Sequence, residues 1–357
     1  MIEFSIRTAR SADVEGIAAL QQDVDADLRI PADQYVRMWR WLCEQNPTGI
    51  QHSQVGVDAG GKVIAYEATV PFALRCGGQR LVGGLTCQLV VGRDFRRSGL
   101  FPRLELEVLS KYPTAGIDFA YVPVRNRVLK AHLALGFQAL GELPLYVRPF
   151  RSLALARHYL KGAWGRRLAS PLLCLGDAAL RFPWHRASSA ITVESVREFD
   201  EPLADALNGV CGELGTHAER SAAVLRWRFA DAPGRRYEAF VARQADRPLG
   251  YVVTRAMPMA EFAALAVVDL VFPPQRPDVG ASLLHAVHRA ALEYKVDLAA
   301  CMLNPHSPLL RVLRRFGYLR APEGFTLIAH VPPQSALCLD KEFFHRWHLT
   351  WFEHDYV

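Results

Sequence analysis

The sequence is short of charge. Only 22% of its 357 residues are Asp, Glu, Lys or Arg, and the net charge is +6. That mild basic bias suits an anionic cofactor or substrate and falls short of what would argue for nucleic acid. Paired cysteines are missing as well. The seven cysteines, at 43, 76, 87, 174, 211, 301 and 338, are odd in number and scattered, with no Cys-x-x-Cys. Their spacing excludes a disulfide framework and a zinc knuckle and fits a reducing, cytoplasmic setting. Nor is there a membrane-length apolar run: Phe262 to Phe272 is too short to span a bilayer and contains Asp269. The opening Met1-Ile2-Glu3-Phe4-Ser5-Ile6-Arg7 alternates like a strand and does not read as a signal peptide. What is there is a globular composition, half hydrophobic, in a chain long enough to predict two domains.

The most informative stretch runs from Leu85 to Leu109. Leu85 to Val91 reads as a buried strand. A basic turn from Arg93 to Gly99 follows, and then Leu100, Leu104 and Val108 recur every four residues, as on one helix face, with Pro102 in the first turn. Strand, basic turn and helix together hold anions. The first N–H groups of the helix lack partners, Arg96 and Arg97 add full charges, and Gly99 lets backbone approach a phosphate.

The run Arg96-Arg97-Ser98-Gly99-Leu100-Phe101 resembles the pyrophosphate-binding signature of the GNAT N-acetyltransferase superfamily, Gln/Arg-x-x-Gly-x-Gly/Ala. Phe101 departs from it, standing where the family has a small residue. The resemblance implies that acetyl-CoA, or another acyl-CoA, binds there as co-substrate, with no metal.

The rest of the chain fits this frame. A strand at 4–8 precedes a helix N-capped by Ser11, with Val14, Ile17, Ala18 and Leu20 on its face. A second helix follows Pro31 and buries Tyr35, Met38, Trp39, Leu42 and Cys43. Strands at about 53–58 and 62–75 are joined by Ala59-Gly60-Gly61. After the central stretch come a strand at 116–124, a helix from about 126 to 135 ending in Leu135-Gly136-Phe137, and two final strands closing the unit by Phe150. Residues 151–187 interleave apolar residues with seven arginines and lysines and read as a basic helical linker, with contact to a membrane surface as the sharper alternative.

Then the first half comes round again. Arg226-Trp227 stands six residues ahead of Pro233, as Arg40-Trp41 does ahead of Pro47, and Phe316-Gly317-Tyr318 echoes Leu135-Gly136-Phe137. Matches in the same order and at nearly the same spacing predict an internal duplication. The copies are unequal. After the strand Phe262–Phe272 the second has a proline-loaded loop, Pro273 to Gly280, without the donors a phosphate cradle needs. The expected architecture is a mixed α/β (α+β) fold of two GNAT-like domains: 1–150 for acyl-CoA, the linker 151–187, a degenerate copy at 188–333, and an aromatic tail at 334–357 that docks. The three tail histidines, 345, 348 and 354, match no standard metal spacing.

Transfer to an amine needs a polarised thioester carbonyl, a neutral amine and a proton for the departing thiolate. By the resemblance, backbone near Leu89, Val90 and Val91 holds the carbonyl. The acid lies four residues before Gly136, where the family has Tyr and this chain has His132, and Asn126 stands against the cofactor. Glu67 and Gln88, on strands expected to border the cleft, are candidates for the base. The implied activity is N-acylation, most simply N-acetylation, of a small-molecule or sugar amine. Two rivals stay open here: a Fem-like transferase drawing on aminoacyl-tRNA, and a non-catalytic CoA-binding or scaffold protein.

Overall fold

The computed structural model describes residues 4–24, 30–151 and 190–354. The basic linker expected over 151–187 lies outside them except for Arg151, as does the end of the tail, 355–357. The chain folds around one mixed sheet flanked by helices. The first half supplies β1 (Phe4–Thr8), α1 (Val14–Val24), α2 (Ala32–Cys43), β2 (His52–Asp58), β3 (Val63–Cys76), β4 (Gln79–Val91), α3 (Leu100–Ser110), α4 (Tyr112–Ala115), β5 (Phe119–Val124), α5 (Asn126–Leu133) and β6 (Gln138–Pro149). The second supplies β7 (Thr192–Val196), α6 (Glu201–Gly212), β8 (Thr216–Ala218), α7 (Ala222–Leu225), β9 (Glu238–Gln244), β10 (Arg247–Met259), β11 (Phe262–Val271), α8 (Pro277–Glu293), β12 (Leu298–Met302), α9 (Leu310–Arg315) and β13 (Leu319–His330). The tail adds α10 (Lys341–His345) and β14 (Trp347–His348).

The main path through the sheet is β1-β2-β3-β4-β5-β13-β6-β12-β11-β10-β9-β7. It reads alike from either end: three antiparallel neighbours, then a parallel pair, β4 with β5 and β11 with β12. The middle departs from the expectation that two strands close the first half by Phe150. One unbroken strand, β6, occupies 138–149, and it pairs on both sides with second-half strands, β13 and β12. Each half thereby inserts its last strand beside the other. The exchange covers edges that either half alone would leave open.

Local rules explain the helices. Val14, Ile17, Ala18 and Leu20 are buried along α1 at helical spacing. Ser11 is not its cap. Residues 11–13 form a short 3₁₀ turn, and the capping oxygen belongs to Asp13, which accepts from the Arg10 N–H at 2.8 Å and from both terminal nitrogens of Arg7 at 2.6 Å. The Ser11 hydroxyl donates instead to Glu44. Trp41 and Trp227, matched by sequence spacing, meet in the core. Their rings stack with centroids 4.9 Å apart. Each indole N–H donates to the other's backbone carbonyl, at 2.7 and 2.8 Å. This reciprocal pair fastens α2 to the turn after α7, so both N–H groups are satisfied without water.

Candidate functional site

The site forms where β4 leaves β5. The two strands pair from Gly83–Phe119 to Leu85–Tyr121 and no further, although β4 runs on to Val91 and β5 to Val124. Pro123 has no N–H to continue the ladder with. On its other side β4 carries a bulge. Ala68 pairs with Cys87 and Tyr66 with Val90, so Gln88 and Leu89 together oppose Glu67. Gln88 adopts φ 52°, in the left-handed region that a bulge residue visits. Its side chain is held by the Tyr35 hydroxyl, which donates to Oε1 at 3.0 Å.

The gap is a cavity of about 280 Å³. Leu85 to Leu89 form one wall, Val122 to Arg125 with Arg127 and Val128 the other, and His132 closes it from further along α5. Phe325 and His354 of the second half reach in, their rings 5.4 Å apart. Of the three residues expected to hold a carbonyl, Leu89 borders the cavity, Val90 is buried opposite Tyr66, and Val91 packs towards α3.

Beyond β4 lies the basic turn. Arg96, Arg97, Ser98 and Gly99 are exposed, whereas Leu100 is buried and Phe101 half-buried. Arg97 and Gly99 both take positive φ, 65° and 81°. The Ser98 hydroxyl accepts from the Leu100 N–H at 3.3 Å. The N–H groups of Arg97, Gly99 and Phe101 find no acceptor among the described residues. A Cβ at Gly99 would meet nothing within 4 Å, so the turn is open to whatever approaches it. Exposed donors, two guanidinium groups and the positive end of α3 make an anion cradle.

His132 is 4% exposed. Its Nδ1 lies 3.1 Å from the Val128 carbonyl, which fixes the ring and sets Nδ1 as the donor. Phe101 and Phe137 flank it edge-on, at 5.7 and 5.3 Å. Gly136 takes the left-handed conformation that ends the helix, and the Phe137 N–H returns to the His132 carbonyl at 3.2 Å.

Behind His132 sits a feature missed from the sequence. His132 Nε2 lies 3.9 Å from a carboxyl oxygen of Glu105 on α3. Glu105 and Glu67 are both wholly buried; a proton on one carboxyl can be shared with the other, and no other described group donates to any of the four oxygens. Burial holds the Glu67 carboxyl well above the usual carboxylate range, with the Glu105 charge adding to the effect, and pushes Glu105 up to about 8. Burial also lowers the His132 pKa. At neutral pH the contact is therefore between neutral groups, not an ion pair. The signal in the sequence was slight: Glu105 follows Leu104 and precedes Val108 on the apolar side of α3.

Two expected residues stand elsewhere. Glu67 does not line the cavity; it faces Glu105 on α3, which packs on that side of the sheet, and there a protonated carboxyl makes a poor base. Asn126 opens α5 but is exposed and lines a separate shallow hollow with Glu142 and Arg320.

The matching place in the second half is occupied. Asp269, near the bulge of β11, receives Arg220 through Nε at 2.8 Å and through a terminal nitrogen at 3.1 Å, and Tyr251 and Thr350 also donate to it. The tail is buried from Trp347 to Phe352 except for half-buried Trp351, and Arg228 binds the carbonyls of Trp351 and Phe352 at 3.1 and 3.0 Å. The loop before α8 is closed on itself, Arg276 pairing with Asp278 at 2.9 Å. The tail histidines go three ways: His345 against His306, His348 to within 3.9 Å of Asp269, and His354 to the first cavity.

No family model matches the chain, and no curated protein does. Solved structures do. A GCN5-related N-acetyltransferase from Anabaena variabilis is 13% identical, with a TM-score of 0.63 over 92% of this chain and 73% of its own. One from Kribbella flavida is 14% identical, with a TM-score of 0.60 over 92% and 71%. The N-myristoyltransferase of Saccharomyces cerevisiae with bound myristoyl-CoA is 10% identical, with a TM-score of 0.60 over 95% and 87%. At such identities the likeness is one of fold, and this chain has the fold of the GCN5-related N-acetyltransferases and the N-myristoyltransferases.

Proposed function

We propose that the chain is an acyl-CoA-dependent N-acyltransferase, with acetyl-CoA as donor and a small amine as acceptor. The observation that carries this reading is the conjunction at the end of β4: a bulge, a parted neighbour strand and an open basic turn, all on one cavity. The turn fits a pyrophosphate, because its unengaged N–H groups and two arginines match that charge. The donor supplies its acyl group as a thioester. The chain's part is to bind the pyrophosphate at 96–101, to offer backbone N–H near Leu89 to the carbonyl, and to keep the cleft dry.

His132 and Glu105 hold the proton. Glu105 keeps it up to about pH 8, beside an imidazole nitrogen that can take it. This pair is the source for the departing thiolate and is recharged by the proton the attacking amine gives up as the amide forms, so the transfer is proton-neutral; Glu67 shares its burial without reaching the cavity. Gln88, an amide held by Tyr35, positions rather than abstracts. Donor chemistry belongs to the first half, while the second half, with its loop closed and its cleft filled, shapes the acceptor side. The same reading makes the two halves a tandem pair and the chain a cytoplasmic enzyme. Among the described residues no helix is long and apolar enough to cross a membrane.

The test is thiol release from acetyl-CoA, and from acyl-CoAs of longer chain, against a panel of primary amines. Amine-dependent release with one amide formed per thiol supports the reading. Tight CoA binding with no transfer to any amine would favour the non-catalytic alternative.

A further inference from the structure

Transfer needs a neutral amine, and neither residue first expected to make one does so. Glu67 lies outside the cavity, and Gln88 is an amide. The described residues that line the cavity leave few others. Arg125 and Arg127 keep their protons throughout the physiological range. Burial pushes the Cys87 thiol far up, so it too stays protonated. His132 is committed, with Glu105, to the thiolate. One imidazole remains on the lining, that of His354. Imidazole is the side chain suited to take and return a proton near neutral pH.

The tail delivers His354 to this place. Trp351–Glu353 form a short 3₁₀ turn, in which the Thr350 hydroxyl accepts from the Phe352 N–H at 3.2 Å and Glu353 from the Thr350 N–H at 3.1 Å. The His354 N–H closes the turn on the Trp351 carbonyl at 3.1 Å. Thr350 donates to Asp269 at 3.0 Å, and Phe352 is wholly buried between Phe72 and Phe229, its ring centroid 6.0 and 5.7 Å from theirs. The filled cleft of the second half thereby anchors the segment that carries His354 into the first. The two imidazoles reach the cavity from opposite faces of the sheet. Along β13, Ile328 packs with Leu129 of α5, the helix that bears His132, whereas Phe325 and Leu327 pack on the other side with Phe352. His354 lies against Phe325 on that side.

From this placement we propose that His354 is the base on the acceptor side, taking a proton from the ammonium form of the arriving amine. The inference rests on the transferase reading above and supplies the group that reading lacks. The ammonium gives one proton to a ring nitrogen of His354, which passes it to water. The freed lone pair forms the C–N bond to the carbonyl carbon as the C–S bond breaks. The thiolate takes the proton held by His132 and Glu105, and the second amine proton replaces it. A ring held through one nitrogen still acts through the other. The field of the cleft assists. Its lining carries two guanidinium groups and no carboxylate, and Arg125 meets Glu323 only at 3.8 Å on the exposed surface. An ammonium ion is disfavoured there and yields its proton more readily.

The test compares two nucleophiles at neutral pH in the thiol-release assay on the whole protein. One is the alkyl amine of the panel that is acylated best, an ammonium ion at that pH; the other is methoxyamine, which is already neutral. His354→Gln keeps the bulk of the side chain and cannot take the proton. Its kcat/KM for the alkyl amine should fall by about a hundredfold or more, while that for methoxyamine changes little. CoA, titrated by calorimetry, should bind the variant as it binds wild type. Imidazole added to His354→Ala should restore part of the alkyl-amine rate. Equal loss with both nucleophiles, or no loss with the alkyl amine, would overturn the assignment and leave the transferase reading standing. Intact CoA binding with no transfer to any amine by wild type would overturn the transferase reading and the base with it.

Discussion

Replacing Glu105 with Gln should make the protein more stable at alkaline pH. Glu105 is fully buried with only the Glu67 carboxyl to share a proton with, and burial pushes its carboxyl up to about 8 from 4.5. Between those values the unfolded chain has released the proton and the folded chain has kept it. The unfolded state therefore binds fewer protons, and stability falls as pH rises. One proton corresponds to about 1.4 kcal/mol per pH step, so by pH 8 this carboxyl costs the fold roughly 4–5 kcal/mol, and no more above that. Gln keeps the shape and cannot ionise. Urea unfolding of wild type and Glu105→Gln, taken in steps from about pH 5 to about pH 9, gives both curves. They should diverge as pH rises, with the variant several kcal/mol more stable at the alkaline end. A variant less stable than wild type at pH 8, or a difference independent of pH, would mean that Glu105 is ionised in the fold and paired with a charged His132. The proton-holding pair would then be wrong.

Three further outcomes follow from particular contacts. Trp227→Ala removes a buried ring from the stack with Trp41 and the indole N–H that donates to the Trp41 carbonyl, so it should cost about 3–5 kcal/mol by urea unfolding. Gly99→Ala adds a Cβ in open space but forces it to a φ of 81°; about 1–2 kcal/mol of strain should shift the turn and weaken CoA binding by calorimetry while the fold survives. His132→Ala should lower kcat by about a hundredfold with CoA affinity nearly kept, and His132→Tyr should restore part of it, whereas a fully active His132→Ala would reduce the residue to packing.

What could be read from the sequence was what neighbouring residues decide. The buried faces of α1 and α2 follow from spacing alone, and so does the strand–turn–helix of 85–109, whose turn adopts the left-handed Gly99 that a close approach requires. The two tryptophans stand out in the sequence by their matched spacing to a proline; that they stack on each other was not legible, because spacing does not say which residues meet. The exchange of β6 and β13 was hidden for the same reason. Both segments are good strands in either place, and only the whole sheet chooses between them. Ser11 looked like a cap until Arg7, on another element, oriented Asp13 into the role. Asn126 opens its helix as expected, yet the turn of α5 leaves it outside the cleft. Glu105 was invisible because one carboxylate on an apolar face carries no meaning until Glu67 and His132 are brought against it.

The central claim is that the first half alone binds the acyl donor through the turn at 96–101. Calorimetric titration of the full chain with CoA tests it most directly, comparing wild type with Arg96→Ala. Binding of one CoA per chain, weakened in the folded variant by about 1.5–3 kcal/mol for a lost charge-assisted phosphate contact, is the predicted result. Unchanged affinity in Arg96→Ala, or two CoA molecules per chain, would contradict it.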